Sequence, residues 1–268
     1  MKKIYISLFV VLFFSIGLMA QTVLITEDFE SFTAGDHIAQ TAGAPWTTWS
    51  GATGGGEDPL VSTAQANGGA NSINVVANND CVVDLGNKTT GRYQIEFYIY
   101  VNAGSIGYFN LLTNFAGANS EWATQTYFYI NGTGSVDANG EGAATFTFNH
   151  DEWIYVNYIV DLDDDFATLY IGGNEIISWQ WTKGSFGGGV AATLDAVDFY
   201  GHTIDGIGSN YYIDDFTFTE QVIPEAPINL TATTNGDNID LDWTAPSTAP
   251  DNYLIMRNSD VIDNTTTG

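Results

Sequence analysis

The sequence predicts an all-β protein built as an antiparallel β-sandwich, on three observations. Trp153–Val160, Phe166–Ile171 and Glu175–Trp181 are β-rich runs joined by an acidic turn signal, Asp161–Asp165, and a Gly/Asn signal, Gly172–Asn174. Arg92–Val101 alternates strictly, with Tyr93, Ile95, Phe97 and Ile99 on one side and Gln94, Glu96, Tyr98 and Tyr100 on the other. Elsewhere Gly, Asn, Thr and Ser punctuate short apolar runs, and almost no helical periodicity is present.

Taken in order, the chain opens with Lys2-Lys3, an apolar run from Ile4 to Leu18 and the small residue Ala20, the pattern of a secretory signal peptide spanning 1–20. The run is shorter than the roughly 20 apolar residues that span a bilayer. No cysteine follows the cut, so a lipoprotein anchor is excluded, and no later stretch is long and apolar enough to insert into a membrane. Cleavage leaves four basic residues, Lys88, Arg92, Lys183 and Arg257, against 32 acidic ones, a net charge of −28. Four scattered cations cannot neutralise a phosphate backbone or dock on an anionic bilayer, so nucleic acid and membrane surfaces are excluded as partners. Two readings of the acidity remain: solubility in a salty medium, and carboxylates that hold Ca²⁺.

Further strands are expected at Ser72–Val76, Tyr108–Asn114, Thr124–Ile130, Ala143–Phe148, Ala196–Tyr200 and Tyr211–Thr219, with loops at the Gly-rich stretches 51–56 and 184–189. Cys81, in the run Cys81-Val-Val83, is the single cysteine; it cannot form an intrachain disulfide and reads as a buried, inert thiol. Stability must therefore come from core burial, for which the first domain is long enough.

The 153–181 hairpins, with a Trp opening a strand, an acidic turn and the string Leu169-Tyr-Ile-Gly-Gly173, resemble the core of laminin-G or concanavalin A-like jelly rolls. That resemblance implies a jelly-roll sandwich over 21–222 that binds glycans or adheres, and in a minority of cases cleaves them. Thr26-Glu-Asp-Phe-Glu30 near the start and Tyr211-Tyr-Ile-Asp-Asp-Phe-Thr-Phe218 near the end are similar to the terminal strands of jelly-roll carbohydrate-binding modules. In those modules the two strands lie side by side and hold a structural Ca²⁺. The implied ligands here are Glu27, Asp28, Glu30, Asp214 and Asp215, and the same residues read equally well as charged edge strands. After a Pro224–Pro227 linker (223–227), Ile228–Thr233, Asn238–Trp243 and Asn252–Arg257 resemble the N-terminal half of an Ig-like fibronectin type III sandwich over 228–268. A complete domain of this kind needs about 100 residues, so the half is expected to be marginally folded and the parent protein longer.

Asp161, Asp163 and Asp165 have the spacing of a calcium loop, but Phe166 and Gly172 stand where its glycine and bidentate glutamate belong, so an acidic β-turn is the better reading. Asp195 and Asp198 fall on opposite faces of an extended segment, which disfavours a joint metal site. Glycanases of jelly-roll type need two carboxylates about 5 Å apart, and no E-x-D-x-x-E strand is present. No histidine motif surrounds His37, His150 or His202, so no catalytic residue is assigned. Sugar binding is better supported. Tyr98 and Tyr100, alternating with Gln94 and Glu96, are the expected platform, followed by Trp46 and Trp49 beside a Gly-rich loop; Tyr127, Tyr129 and Trp122 are further aromatic candidates. Trp153, Trp179 and Trp181 are expected in the core.

The sequence thus points to a secreted, extracellular, monomeric and non-catalytic module of a larger multidomain protein, not an enzyme, whose partner is a polysaccharide or glycoconjugate. The alternatives are a protein–protein adhesion domain that binds a surface protein, and a glycanase or lyase using an unrecognised carboxylate pair.

Overall fold

The computed structural model describes residues 20–222, 228–235, 238–245, 253–257 and 260–265. Residues 1–19 of the leader and the Pro224–Pro227 linker lie outside them. The chain divides into two compact units, one of which is Thr22–Glu220.

This unit is all-β, apart from short helical turns. It begins with β1 (Ala20–Glu27), the single turn of helix α1 (Ile38–Ala42), β2 (Trp46–Thr48) and β3 (Leu60–Ser62). Longer strands follow: β4 (Ser72–Val76), β5 (Asp80–Lys88), β6 (Arg92–Val101), β7 (Gly107–Asn114) and β8 (Glu121–Phe128). Next come β9 (Thr133–Asp137), β10 (Ala144–Thr147), β11 (Trp153–Asp161), β12 (Phe166–Ile171) and β13 (Asn174–Gln180). The last are β14 (Leu194–Tyr200), the small hairpin β15 (Thr203–Ile204) and β16 (Ile207–Gly208), and β17 (Asn210–Val222).

Two large sheets result. The first runs β13-β12-β11-β6-β17-β4-β3, with β1 also paired to β17; the second runs β10-β9-β8-β7-β14-β5-β2. Successive strands β4 to β7 alternate between the sheets, which gives a jelly-roll-like sandwich rather than a meander. The expected 153–181 hairpins are β11, β12 and β13. Asp165, Gly172 and Gly173 take the positive φ that their two turns require (51°, 58° and 79°).

Period-two patterning fills the space between the sheets. Ile95, Phe97 and Ile99 of β6 are fully buried, and so are Phe109 and Leu111 of β7, Val197 and Phe199 of β14, and Phe216 and Phe218 of β17. Phe97 is the hub, edge-on to Phe109 (ring centroids 5.0 Å apart) and to Phe199 (5.2 Å), and stacked at 6.3 Å on Phe216. Cys81 is buried, its thiol pushed well up by desolvation, in accord with an inert role. Trp179 and Trp181 are core residues as expected. Trp153 is not: it is half-buried on the outer face of the first sheet, against Tyr100 at 5.5 Å, because Ile154, Val156, Tyr158 and Val160 take the inward phase of β11.

Helix α1 was not expected, since five residues show no readable periodicity. Asp58 makes it possible by accepting the Ala39 and Gln40 amides at 2.8 and 2.9 Å. The other unit contains two hairpins, β18 (Ile228–Asn235) with β19 (Asn238–Thr244) and β20 (Tyr253–Arg257) with β21 (Asp260–Thr265).

Truncating the hub tests this account of the core. Phe97→Ala is expected to lower the unfolding free energy by about 3–5 kcal/mol, read from the urea midpoint with the m-value unchanged.

Candidate functional site

The same alternation that buries Phe109 and Phe199 turns their neighbours outward, onto the open face of the second sheet. Strand register then sets these neighbours in rows across the strands. Asp198 of β14 lies opposite Asn110 of β7, Asn110 opposite Gln125 of β8, and Gln125 opposite Asp137 of β9. In the adjacent row Asp80 of β5 lies opposite Tyr200, Tyr108 opposite Tyr127, and Tyr127 opposite Ser135. Trp49, Trp122 and His202 close the sides of a cleft of about 280 Å³ over these rows.

Each wall is held locally. The Trp49 amide donates to the Asp80 carbonyl at 2.9 Å, which ties the end of β2 to the start of β5. Trp49 stacks on Trp122 (6.2 Å, 17° between planes) and packs on Phe115 (5.4 Å). His202 follows Gly201, where a Cβ would stand 1.9 Å from the Val76 carbonyl oxygen; only glycine lets the chain pass the β4–β5 turn so closely. His202 packs on Tyr108 at 5.2 Å and Tyr200 at 5.7 Å, and burial lowers its pKa, so the ring is neutral at neutral pH.

The floor is a pair of carboxyls. Asp198 is fully buried and burial drives its pKa far above the usual carboxylate range, an effect that the nearby Asp80 charge reinforces. Asp80, half-buried, is pushed up to about 6, chiefly by desolvation, although it accepts a hydrogen bond from Asp198 and thereby gains some relief. Two carboxyls this close cannot both ionise, so they share a proton that sits on Asp198. Asn110 Nδ2 donates to Asp198 Oδ2 at 2.6 Å and also reaches the Tyr108 hydroxyl at 3.3 Å. Tyr108 and Tyr127 both donate to Gln125 Oε1, at 2.8 and 3.1 Å, and burial raises both phenols, so they stay protonated donors. Asn110 Oδ1 is buried with no partner among protein groups, an acceptor free within the floor.

The residues expected from sequence fall in three places. Trp49 lines the cleft. Trp46 is a correction: 3% exposed, it points inward from β2 and packs edge-on against Phe29 (5.4 Å) and Phe216 (5.8 Å), so it offers no platform. Tyr98, Tyr100, Gln94 and Glu96 lie on the outer face of the first sheet, not the face that carries the cleft. There Tyr98 packs on Tyr155 (5.3 Å), the Tyr155 hydroxyl donates to Glu96, Gln94 donates to Asn157, and Tyr100 is 9% exposed under Trp153 and Tyr212.

Of the five expected metal ligands, Glu30, Asp214 and Asp215 turn to one loop, residues 67–71. Glu30 accepts the Ala70 and Asn71 amides, Asp214 the Asn67 amide, and Asp215 the Asn67 side chain. Glu27 and Asp28 instead accept the amides of Phe29 and Glu30. Among the described residues no group of three or more His, Cys, Asp or Glu is placed to hold a metal ion. A cation at this loop would have to draw on oxygens that already accept hydrogen bonds.

No protein-family profile matches the chain, and no curated protein matches its sequence. Solved structures do match in shape. A double mutant of the alginate lyase Aly36B in complex with alginate trisaccharide superposes with a TM-score of 0.50 at 10% identity, covering 74% of this chain and 98% of that one. The cellulose-induced protein Cip1 gives 0.49 at 14% identity, covering 72% and 96%. A carbohydrate esterase from the Shiga toxin-encoding bacteriophage phi24B gives 0.47 at 11%, covering 75% and 99%. At such identities the likeness is one of fold. It nevertheless corrects the expectation of a non-catalytic module without enzyme activity: the fold, matched over nearly the whole lyase chain, is one that an enzyme uses. The sequence reading looked for a carboxylate pair within one strand, whereas the fold brings Asp80 and Asp198 together from two.

The native fold holds protons on Asp80 and Asp198 that the unfolded chain releases near pH 4 (the ordinary aspartate value is about 3.9). The contribution of Asp80 is therefore complete below that pH and is lost as pH rises through about 6, while that of Asp198, which holds its proton more tightly, is lost only at higher pH. Urea midpoints should fall more steeply between these limits in the native protein than in Asp198→Asn, which cannot ionise; equal slopes would remove the shared proton.

Proposed function

We propose that this chain is a carbohydrate-processing enzyme that works by general acid–base catalysis in the cleft on the second sheet. The observation that carries this reading is the proton-sharing Asp80–Asp198 pair on the floor of an aromatic-walled cleft. Asp80, the member nearer solvent, is the catalytic residue; its pKa suits proton transfer near neutrality. Asp198, fixed by Asn110, is a positioning residue that sets the proton affinity of Asp80. The two carboxyls shift each other's proton affinity, so they act as one unit rather than as a nucleophile and an acid on opposite sides of the scissile bond. Tyr108 and Tyr127, whose protons go to Gln125 Oε1, present hydroxyl oxygens that accept from the substrate, and the Trp49–Trp122 stack offers a flat apolar wall to a sugar ring. The shape match to the lyase supports a fold suited to such a substrate.

Product formation on a polysaccharide panel tests the assignment. Asp80→Asn should lower kcat by about 10²-fold or more, whereas Trp122→Ala should raise KM with a smaller effect on kcat. Full activity in Asp80→Asn would sink the proposed chemistry.

We also propose that the 1–20 leader exports the protein, that the sandwich is of the laminin-G/concanavalin A-like kind, and that residues 228–268 are the leading half of a fibronectin type III domain. A structural Ca²⁺ that draws on one or two of the carboxylates Glu27, Asp28, Glu30, Asp214 and Asp215, with backbone oxygens completing its shell, is a separate proposal. It calls for a melting temperature several degrees higher in Ca²⁺ than in chelator, and an unchanged melt would dismiss it.

A further inference from the structure

Whatever enters the cleft must fit its charge as well as its shape. Its lining holds two carboxyls, the hydroxyls of Tyr108, Tyr127 and Tyr200, the amides of Asn110 and Gln125, and the neutral ring of His202. No lysine or arginine among the described residues lines it. Each cation of the Thr22–Glu220 unit has another station: the Lys88 ammonium lies 6.0 Å from the centre of the Phe218 ring, Arg92 faces Asp161 at 3.8 Å across the first sheet, and Lys183 lies near Asp165. The chain as a whole bears 32 acidic residues against 6 basic ones, so the field at the cleft mouth is negative as well.

We infer that the substrate of this cleft is an uncharged glycan, not a polyuronate or a sulfated polysaccharide. The inference rests on the reading of the cleft as a carbohydrate-processing site and narrows it. A uronate carboxylate seated over the rows would face Asp80 at close range, beside low-dielectric aromatic walls and with no cation to receive it. The donors present are neutral, the Tyr200 hydroxyl, the Gln125 amide and the Asn110 amide engaged with Asp198; they can bond a sugar hydroxyl but do not offset a full charge. A neutral pyranose meets none of this opposition. Its hydroxyls find carboxyl and amide acceptors, and its apolar face finds Trp49 and Trp122. The aligned rings of Tyr127 and Tyr129, 6.1 Å apart at 4° between planes, extend the aromatic surface toward β9. The lyase that shares this fold was captured with alginate, a polyanion, so the charge of the cleft separates this chain from its structural neighbour.

The test uses the whole protein with two sets of probes: neutral mannan, xylan and β-1,3-glucan, and anionic alginate and polygalacturonate, with carboxyl-reduced alginate as the matched neutral form of the same polymer. Retardation in affinity gels at pH 7.5, above the Asp80 value of about 6, reads binding; new reducing or unsaturated ends read turnover. At least one neutral polymer should bind ten-fold or more tightly than either polyuronate. Carboxyl-reduced alginate should bind more tightly than alginate, and the gap should narrow in high salt and in Asp80→Asn. A polyuronate bound as tightly as the best neutral polymer overturns the inference, whether or not it is cleaved. A neutral polymer retained but never processed supports the charge inference and overturns the enzymatic reading. Retention of no polymer overturns both.

Discussion

Packing of Phe97 against Phe109, Phe199 and Phe216 is the contact on which the rest of the molecule depends. These four rings come from β6, β7, β14 and β17, two strands of each sheet, so one cluster joins the two layers at their centre. Once Phe109 and Phe199 are committed inward, the pleat leaves Asn110 and Asp198 no choice but to face outward, and the register of β7 with β14 sets them side by side. The floor of the cleft is thus the reverse side of the core. A one-residue slip of β14 would exchange Asp198 with Phe199 and destroy both at once.

The electrostatics divide along the same line. Most carboxylates of this acidic chain are solvated, and ordinary salt screens their mutual repulsion over about 8 Å. Asp198 has no such relief. Buried beneath Asp80, it escapes the cost of an unpaired buried charge by keeping its proton, which it donates to its neighbour. The acidity that reads from composition as a solubility device is therefore distinct from the two carboxyls of the proposed site. Only their placement separates them from the other thirty.

The sandwich was legible because its signals are local. Alternation in β6 and turn chemistry around Asp165 and Gly172–Gly173 each span a few residues, and the strands expected at 72–76, 108–114 and 196–200 recur with at most small shifts. Phase was harder where both faces carry aromatic residues. Trp153 reads as core because aromatic residues in strands mostly are, although Ile154, Val156 and Val160 form the more apolar set. Trp46 sits on a three-residue strand, too short to show a phase, so its neighbour Trp49 reached the cleft while Trp46 itself joined the core. The carboxyl pair was out of reach for another reason: its members meet only after β14 pairs with β5, a contact between distant parts of the chain. One trace was present, an aspartate in the middle of the apolar run Ala196–Tyr200, where a strand interior rarely carries a charge without a use.

Because only alternate residues of β5, β7, β8 and β14 face the main core, the remaining half of those strands builds a small separate layer in which Val82, Leu112 and Ala196 pack with Trp49, Phe115 and Trp122. Substitutions on that half can accumulate without disturbing the layers beneath, so kinship of shape outlasts kinship of letters by a wide margin. The sandwich behaves as a tray whose contents can be replaced. Two proteins that share it need agree on no functional residue, and the identity of each is written on a single face.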